Sequence, residues 1–435
     1  MHTEPPPNAD TPRLSLGHLG GFLLGREDSI RAVAGARGSL LLGLLFVFSA
    51  ALAREYDGEP LLYEPQHLVI PLAASLLTAT LLYLLLMLTG AAPWREALPG
   101  WGRFLACYWF TAPLAWLYAI PVERMFEPEP AVKANLALLG IVAAWRVVLI
   151  TRVASVLFAK SWLRIFPVVL LFADLVALQL LAIIPRPIVG MMGGIRHSAA
   201  EQALLDTILS VQILGFLSLP IWFFGSCIAA GLNWRRPADH EDREPATAGP
   251  ATPLSLWLLA ATALLFFSAL LPFNQPPQMR KWEVEQLLKG GQVEAGLRLM
   301  SSQPRDTFPP HWDPPPRLGY GEDRPGFDEL LRGLAAADAA DWVWELYLEK
   351  LLFHGVEPFG RNRFTSWQPE ELERFAAAVS DERFAGEERD ELVEQIGRKL
   401  SDRWHGQPEL TETGQAALLR ALSHLGAEPP PERAD

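Results

Sequence analysis

Residues 68–88 read LVIPLAASLLTATLLYLLLML and contain no charged side chain. A helix needs about 20 consecutive apolar residues to cross the hydrocarbon core of a bilayer. This stretch meets that length and exceeds the usual length of an apolar run in a soluble domain. The sequence therefore predicts a transmembrane helix at Leu68–Leu88 and excludes a purely soluble protein.

Similar apolar segments lie on both sides of this one, and together they predict seven spans. The set is Gly38–Ala53, Leu68–Leu88, Phe104–Val122, Asn135–Phe158, Phe166–Ile184, Leu204–Ala230 and Pro253–Phe273. The first segment is short and the fourth contains arginines, so the count ranges from six to eight. The predicted fold class is all-α, with a polytopic transmembrane helix bundle of about seven spans followed by a soluble α-helical domain.

Charge divides the chain of 435 residues at about residue 273. Residues 1–273 carry 18 Lys and Arg against 19 Asp and Glu, whereas residues 274–435 carry 19 against 30. We therefore predict three parts: an N-terminal cytoplasmic or interfacial segment (1–37), a transmembrane helical domain (38–273) and an acidic soluble α-helical domain (274–435). No dense basic face is available for phosphates, which excludes a nucleic-acid binder.

The lysines and arginines of the short loops indicate the orientation of the bundle. With a cytoplasmic N-terminus, the inner loops hold 11 of these residues and the outer loops hold five. The N-terminus is therefore expected in the cytoplasm, and seven spans place the tail outside the cytoplasm. Lysine is scarce, with six residues against 31 arginines, which favours a bacterial genome and hence a bacterial inner or plasma membrane.

Polar side chains within the predicted spans need partners, and four of them are candidates for a functional role. A helix rises about 1.5 Å per residue, which puts Arg146 and Asp174 at a similar depth on neighbouring helices, so we expect them to form an ion pair. By the same estimate Gln179 and Gln212 lie level with each other, where an interhelical hydrogen bond is possible. We interpret these residues as structural links between helices, with a proton, ion or substrate path as the alternative.

The predicted outer loops bring a second group of polar residues to one face of the bundle. These residues are Glu55, Asp57, Glu64, His67, Arg124 and Arg196. Carboxylates with histidine can bind a divalent metal or transfer protons. No spacing matches a known metal motif, and a solvated acidic loop is the ordinary interpretation, so we assign no catalytic residue, no metal and no cofactor.

The tail shows apolar residues at helical spacing and no alternating pattern typical of strands. The predicted helices are Met279–Lys289, Val293–Ser301, Phe327–Ala337, Ala340–Phe353, Pro369–Val379, Glu387–Trp404 and Glu412–Leu425. Between the second and third lies FPPHWDPPPR at residues 308–317, whose five prolines impose a polyproline II conformation. Such a segment is either a docking strip or a strap over the helical core.

The sequence contains none of the common nucleotide-binding or nucleophile motifs. The expected role is a binding or scaffolding subunit of a membrane complex, whose partners are the lipid bilayer and a protein bound through residues 274–435. One alternative is a transporter or channel subunit that uses Arg146 and Asp174. The other is a membrane-embedded enzyme that acts on lipid-linked substrates at the outer loops.

Overall fold

The computed structural model describes most of the chain. The described residues are 14–56, 58–183, 199–235, 251–309, 312–316, 325, 327–337, 339–354, 369–380, 390, 393, 394, 397 and 412–426. They form α-helices and short 3-10 helices without a β-strand, and an isolated β-bridge joins Arg37 to Ala251. The prediction of an all-α fold is therefore confirmed for the described part of the chain.

Contacts divide the described residues into two units. The first contains those up to 183 together with 203–276, and the second contains those from 277 onward with the short stretch 199–202. The helices that begin before residue 277 are α1 (Leu16–Leu23), α2 (Glu27–Gly35), α3 (Ser39–Glu55), α4 (Gln66–Leu88), α5 (Ala97–Trp109), α6 (Pro128–Phe158), α7 (Trp162–Ile183), α8 (Ala199–Arg235) and α9 (Leu254–Lys289).

The second unit is built from the end of α9 and shorter helices. These are α10 (Val293–Ser301), α11 (Phe327–Ala336), α12 (Asp341–His354), α13 (Pro369–Val379) and α14 (Glu412–His424). They enclose a hydrophobic core of their own, in which Leu297, Tyr347 and Phe375 are buried. Most of the predicted helix Glu387–Trp404 lies outside the described residues.

Six of the described helical segments are long and apolar enough to cross a membrane. They are Gln66–Leu88, Ala97–Arg124, Pro128–Phe158, Trp162–Ala182, Gln202–Arg235 and Leu254–Lys289. Large apolar side chains such as Leu77 on α4 and Leu217 on α8 are exposed on their outer faces, which suits contact with lipid. The chain is thus compatible with a multi-pass membrane protein.

The first predicted span corresponds to α3, which is shorter than the others. Its 17 residues cover about 26 Å at about 1.5 Å per residue, slightly less than a hydrocarbon core of about 30 Å. Even so, α3 is central to the bundle, because Leu42 and Phe46 are fully buried in the main hydrophobic core of the first unit.

Proline ends the α-helical part of the third span. The α5 helix stops at Trp109, and the chain continues as a 3-10 helix over Ala112–Ala119. Pro113 lacks a backbone N–H and its ring crowds the preceding turn, which disfavours an α-helix there. In this span the result is a change of helix type. In the sixth span Pro220 lies inside α8, which continues past it.

The N-terminal segment packs on the bundle through a helical hairpin. Phe22 on α1 is fully buried and meets the Phe110 ring edge-on at 5.8 Å between centroids. The turn between α1 and α2 uses Gly25 at a φ of +72°, a conformation that suits glycine. Arg152 of α6 donates a hydrogen bond to the Gly25 carbonyl at 3.2 Å, which fixes the hairpin to the end of the fourth span.

Candidate functional site

Aromatic and hydroxyl side chains join helices within the bundle. Between α5 and α4, the indole of Trp109 donates to the Ser75 hydroxyl at 3.2 Å, and the hydroxyls of Tyr108 and Thr78 are 3.1 Å apart. The indole of Trp116, in the 3-10 segment, donates to the Ser49 hydroxyl of α3 at 2.9 Å. Such bonds between helices rigidify a membrane bundle.

Arg146 lies on the inward face of α6. It shares this face with Val142 and Leu149, both buried, and its guanidinium carbon lies 5.3 Å from the centroid of the Tyr108 ring. Its Nε atom is buried and has no hydrogen-bond acceptor. Within the described part of the chain it forms no ion pair, so the predicted pairing with Asp174 is wrong.

Asp174 of α7 faces a different neighbour. Its carboxylate accepts a hydrogen bond from the Ser218 hydroxyl of α8. The two predicted glutamines also differ from the expected arrangement, because Gln212 donates to the backbone carbonyl of Leu181 at 3.2 Å while Gln179 is exposed. Gln212 therefore links α8 to α7, but through the backbone of α7 and not through Gln179.

The outer-loop residues do not form the predicted joint site in the part of the chain that the structure describes. His67 is 2.9 Å from the Glu64 carboxylate, three residues before it, and Glu55 pairs with its neighbour Arg54 at 3.1 Å. Arg124 instead donates to the Asn274 side chain at 2.6 Å. Asp57 and Arg196 lie outside the described residues. Among the described residues no group of three or more His, Cys, Asp or Glu side chains could hold a metal ion.

Two polar residues of α9 bond to the loops that follow α3 and the 3-10 segment Ala112–Ala119. Gln275 donates to the backbone carbonyls of Tyr56 and Glu59, both at 3.0 Å, and Asn274 accepts the bond from Arg124. The Tyr56 hydroxyl donates to the Ala119 carbonyl at 3.0 Å. Asn274 and Gln275 were not among the predicted site residues, although an Asn-Gln pair directly after the apolar run of the last span was the available signal.

The proline segment is a strap held by the second unit. The Trp312 indole donates to the Glu285 carboxylate at 3.0 Å, the Tyr347 hydroxyl donates to the Pro315 carbonyl at 3.0 Å, and the Phe308 and Trp312 rings stack at 4.8 Å. Burial raises the pKa of Tyr347 well above its usual value, and the charges of Asp313 and Glu285 add to this effect.

Most of this segment is therefore unavailable as a docking strip. Phe308, Pro309, Trp312 and 314–316 are all buried, and His311 lies outside the described residues. Asp313 remains exposed and pairs with Lys350 of α12. Of the two sequence interpretations, the structure favours the strap over the docking strip.

Comparisons with known proteins add no assignment. No protein-family model, no curated protein and no solved structure matches this chain significantly.

Proposed function

We propose that this chain is a seven-span bacterial inner-membrane protein that anchors an acidic helical domain outside the cytoplasm as the binding or scaffolding subunit of a membrane complex. The observation that carries the proposal is the construction of the second unit. It encloses its own hydrophobic core and binds its proline strap internally, so its charged outer surface is what remains for a partner.

The seven-span topology is supported by the contacts of α3 with α9. At their starts, the Thr252 backbone N–H donates to the Arg37 carbonyl at 3.1 Å. At their other ends, Gln275 donates to the Tyr56 carbonyl. These two contacts indicate that α3 and the corresponding part of α9 run in the same direction. Parallel first and last spans would fit an odd number of crossings, and this supports the proposal that the N-terminus and the tail lie on opposite sides.

The acidic surface indicates the chemistry of the partner. Residues 274–435 carry 11 more acidic than basic residues, and exposed carboxylates lie on several of their segments, among them Asp306, Glu329 and Glu345. A surface of one sign steers and orients a partner of the opposite sign. A protein with a basic docking face is therefore the expected partner.

The test is photo-crosslinking of the full chain in its native membrane. Benzoylphenylalanine in place of Glu345 should give a discrete protein adduct that weakens at high salt, whereas the same probe in place of Asp28 should not give that adduct. Neutralising the surface with Asp306→Asn and Glu329→Gln, in a chain that carries the probe at Glu345, should reduce the yield of the protein adduct. Absence of any protein adduct at Glu345, or an adduct insensitive to both salt and charge, would contradict the proposal.

A transporter or channel subunit is the second candidate function. The observation that favours it is the inward-facing guanidinium of Arg146, which no carboxylate neutralises in the described structure. If the chain is a transporter that uses Arg146 and Asp174, Asp174→Asn should abolish flux into proteoliposomes while the protein remains folded. In the scaffold, the same variant would leave the full chain without measurable flux, as in the native protein.

A further inference from the structure

Arg146 is a partly buried cation of the helix bundle, and it forms no ion pair with any residue that the structure describes. The residue lies at the middle of α6, a 31-residue membrane helix, on the face that it shares with buried Val142 and Leu149. Ionisable residues at such positions ordinarily pair with one another or with backbone carbonyls. In the described structure Asp174 is bonded to Ser218 instead, and the buried Nε atom of Arg146 has no hydrogen-bond acceptor.

Two tyrosines and a 3-10 segment surround Arg146. The Tyr108 ring covers one face of the guanidinium at 5.3 Å, and Tyr108 is held in place because its hydroxyl is bonded to Thr78 of α4. The 3-10 segment Ala112–Ala119 packs against α6, and Tyr118 of that segment lies within electrostatic range of the guanidinium. The cation is thus positioned by aromatic packing, which leaves its N–H groups free to donate to a ligand.

We propose that Arg146 is the cationic element of a binding site for a small oxyanion inside the helix bundle. A guanidinium is planar and presents parallel N–H donors, which match the two oxygens of a carboxylate or nitrate-like group. In a medium of low dielectric constant such an anion supplies the missing opposite charge. The buried Nε atom and the buried neighbours Val142 and Leu149 favour a small free anion over the headgroup of a surrounding lipid.

The experiment measures thermal unfolding of the full chain in nanodiscs of phosphatidylcholine, with nitrate as the probe. Nitrate replaces the bulky anion 2-(N-morpholino)ethanesulfonate stepwise at constant sodium, which keeps the ionic strength fixed. Because a ligand that binds only the folded state raises its melting temperature, the native chain should show a saturable rise in Tm. The rise should disappear in Arg146→Gln and persist in Arg152→Gln, a matched control six residues further along α6.

Arg146→Lys keeps the test decisive if Arg146→Gln does not fold. Lysine retains the charge but not the planar pair of donors, so the nitrate concentration at half-saturation should rise by about threefold or more. The proposal is overturned if the native chain shows no saturable rise in Tm, or if Arg146→Gln shows the same rise as the native chain. If Arg146→Gln does not fold, an unchanged nitrate concentration at half-saturation in Arg146→Lys overturns it. A rise that requires phosphatidylglycerol in the disc and is insensitive to nitrate would assign the site to lipid headgroups and would also overturn it.

Discussion

The Ser218 hydroxyl donates a hydrogen bond to the Asp174 carboxylate and so links α8 to α7 within the membrane segment. A carboxylate in this environment depends on such donors, because water and cations are scarce around it. Gln212 adds a second link between the same helices through the Leu181 carbonyl. The Ser218–Asp174 and Gln212–Leu181 bonds together hold α7 and α8 in one relative rotation.

Ser218→Ala should therefore weaken the packing of α8 on α7. Interhelical hydrogen bonds of this kind contribute about 0.5–2 kcal/mol in membrane proteins, so the variant should unfold more readily in a detergent titration. Ser210→Ala is the matched control, because the Ser210 hydroxyl is exposed and bonds only to the Asp206 carbonyl of its own helix. Equal stability of the two variants would refute the link.

Glu27 gives a prediction for acid pH. Its carboxylate accepts hydrogen bonds from Arg31 at 2.6 Å and from Arg152 at 3.3 Å, and the Arg31 bond and charge hold the pKa of Glu27 below its usual 4.5. A carboxylate with a lowered folded-state pKa stabilises the fold above its unfolded value, and this contribution is lost as the pH falls through the lowered pKa.

The pH dependence of the melting temperature tests this contribution. Glu27→Gln should flatten the decline in Tm of the full chain below pH 4.5, because the neutral amide cannot lose the ion pair. At pH 7 the change in Tm should be small, since the pair is exposed and screened by solvent. Parallel profiles for the native chain and the variant over the acid range would exclude a role for Glu27.

Depth along a helix is easier to predict than the direction in which a side chain points. The rise per residue placed Arg146 and Asp174 at a similar level, but it carries no information on helix rotation. Arg146 turns towards Tyr108 of α5, whereas Asp174 turns towards α8. The sequence thus indicated the depth of these two residues, but their predicted pairing was wrong, because helix rotation depends on the packing of the whole bundle.

At the scale of elements, glycines allow α7 and α8 to approach closely. A Cβ atom on Gly225 would lie 3.0 Å from the Pro167 side chain, and one on Gly215 would lie 3.1 Å from Leu178. Small residues at helix interfaces are a common basis of association in membranes, where backbone proximity improves van der Waals contact. The α7–α8 pair therefore combines close packing with the polar links described above.

Gly225→Leu should force α8 away from α7. Overpacking of a close interface costs about 1–3 kcal/mol, measured as a shift in detergent-induced unfolding. Gly231→Leu on the same helix is the control, because no atom lies within 4 Å of the position its Cβ would take. The close-packing account fails if the two leucine variants are equally stable.

The strap gives a prediction for the second unit. Trp312→Phe keeps the ring stacked on Phe308 but removes the indole N–H that donates to Glu285 at 3.0 Å. Hydrogen bonds to charged groups contribute about 1.5–3 kcal/mol. In the full chain the variant should therefore show faster amide hydrogen exchange in its C-terminal part. Trp94→Phe, at an exposed tryptophan, should have no such effect. An unchanged exchange rate in Trp312→Phe would mean that the strap adds no stability.

At the scale of the whole molecule, hydropathy alone located the membrane helices, because about 20 apolar residues in a row have few other uses. The boundary in charge near residue 273 lies close to Pro276, where the contacts divide the chain. Other features were not readable from the sequence. The bonds from Gln275 to the Tyr56 and Glu59 carbonyls and the packing of Arg146 against Tyr108 depend on contacts between distant parts of the chain.

The central claim is that the acidic C-terminal unit and the N-terminal helices lie on opposite sides of the membrane. It is tested most directly by labelling single cysteines in intact spheroplasts with a membrane-impermeant maleimide, in a background in which Cys107 and Cys227 are replaced. Glu345→Cys should be labelled in intact spheroplasts, and Asp28→Cys should be labelled only after permeabilisation. Labelling of both positions, or of neither, in intact spheroplasts would contradict the account.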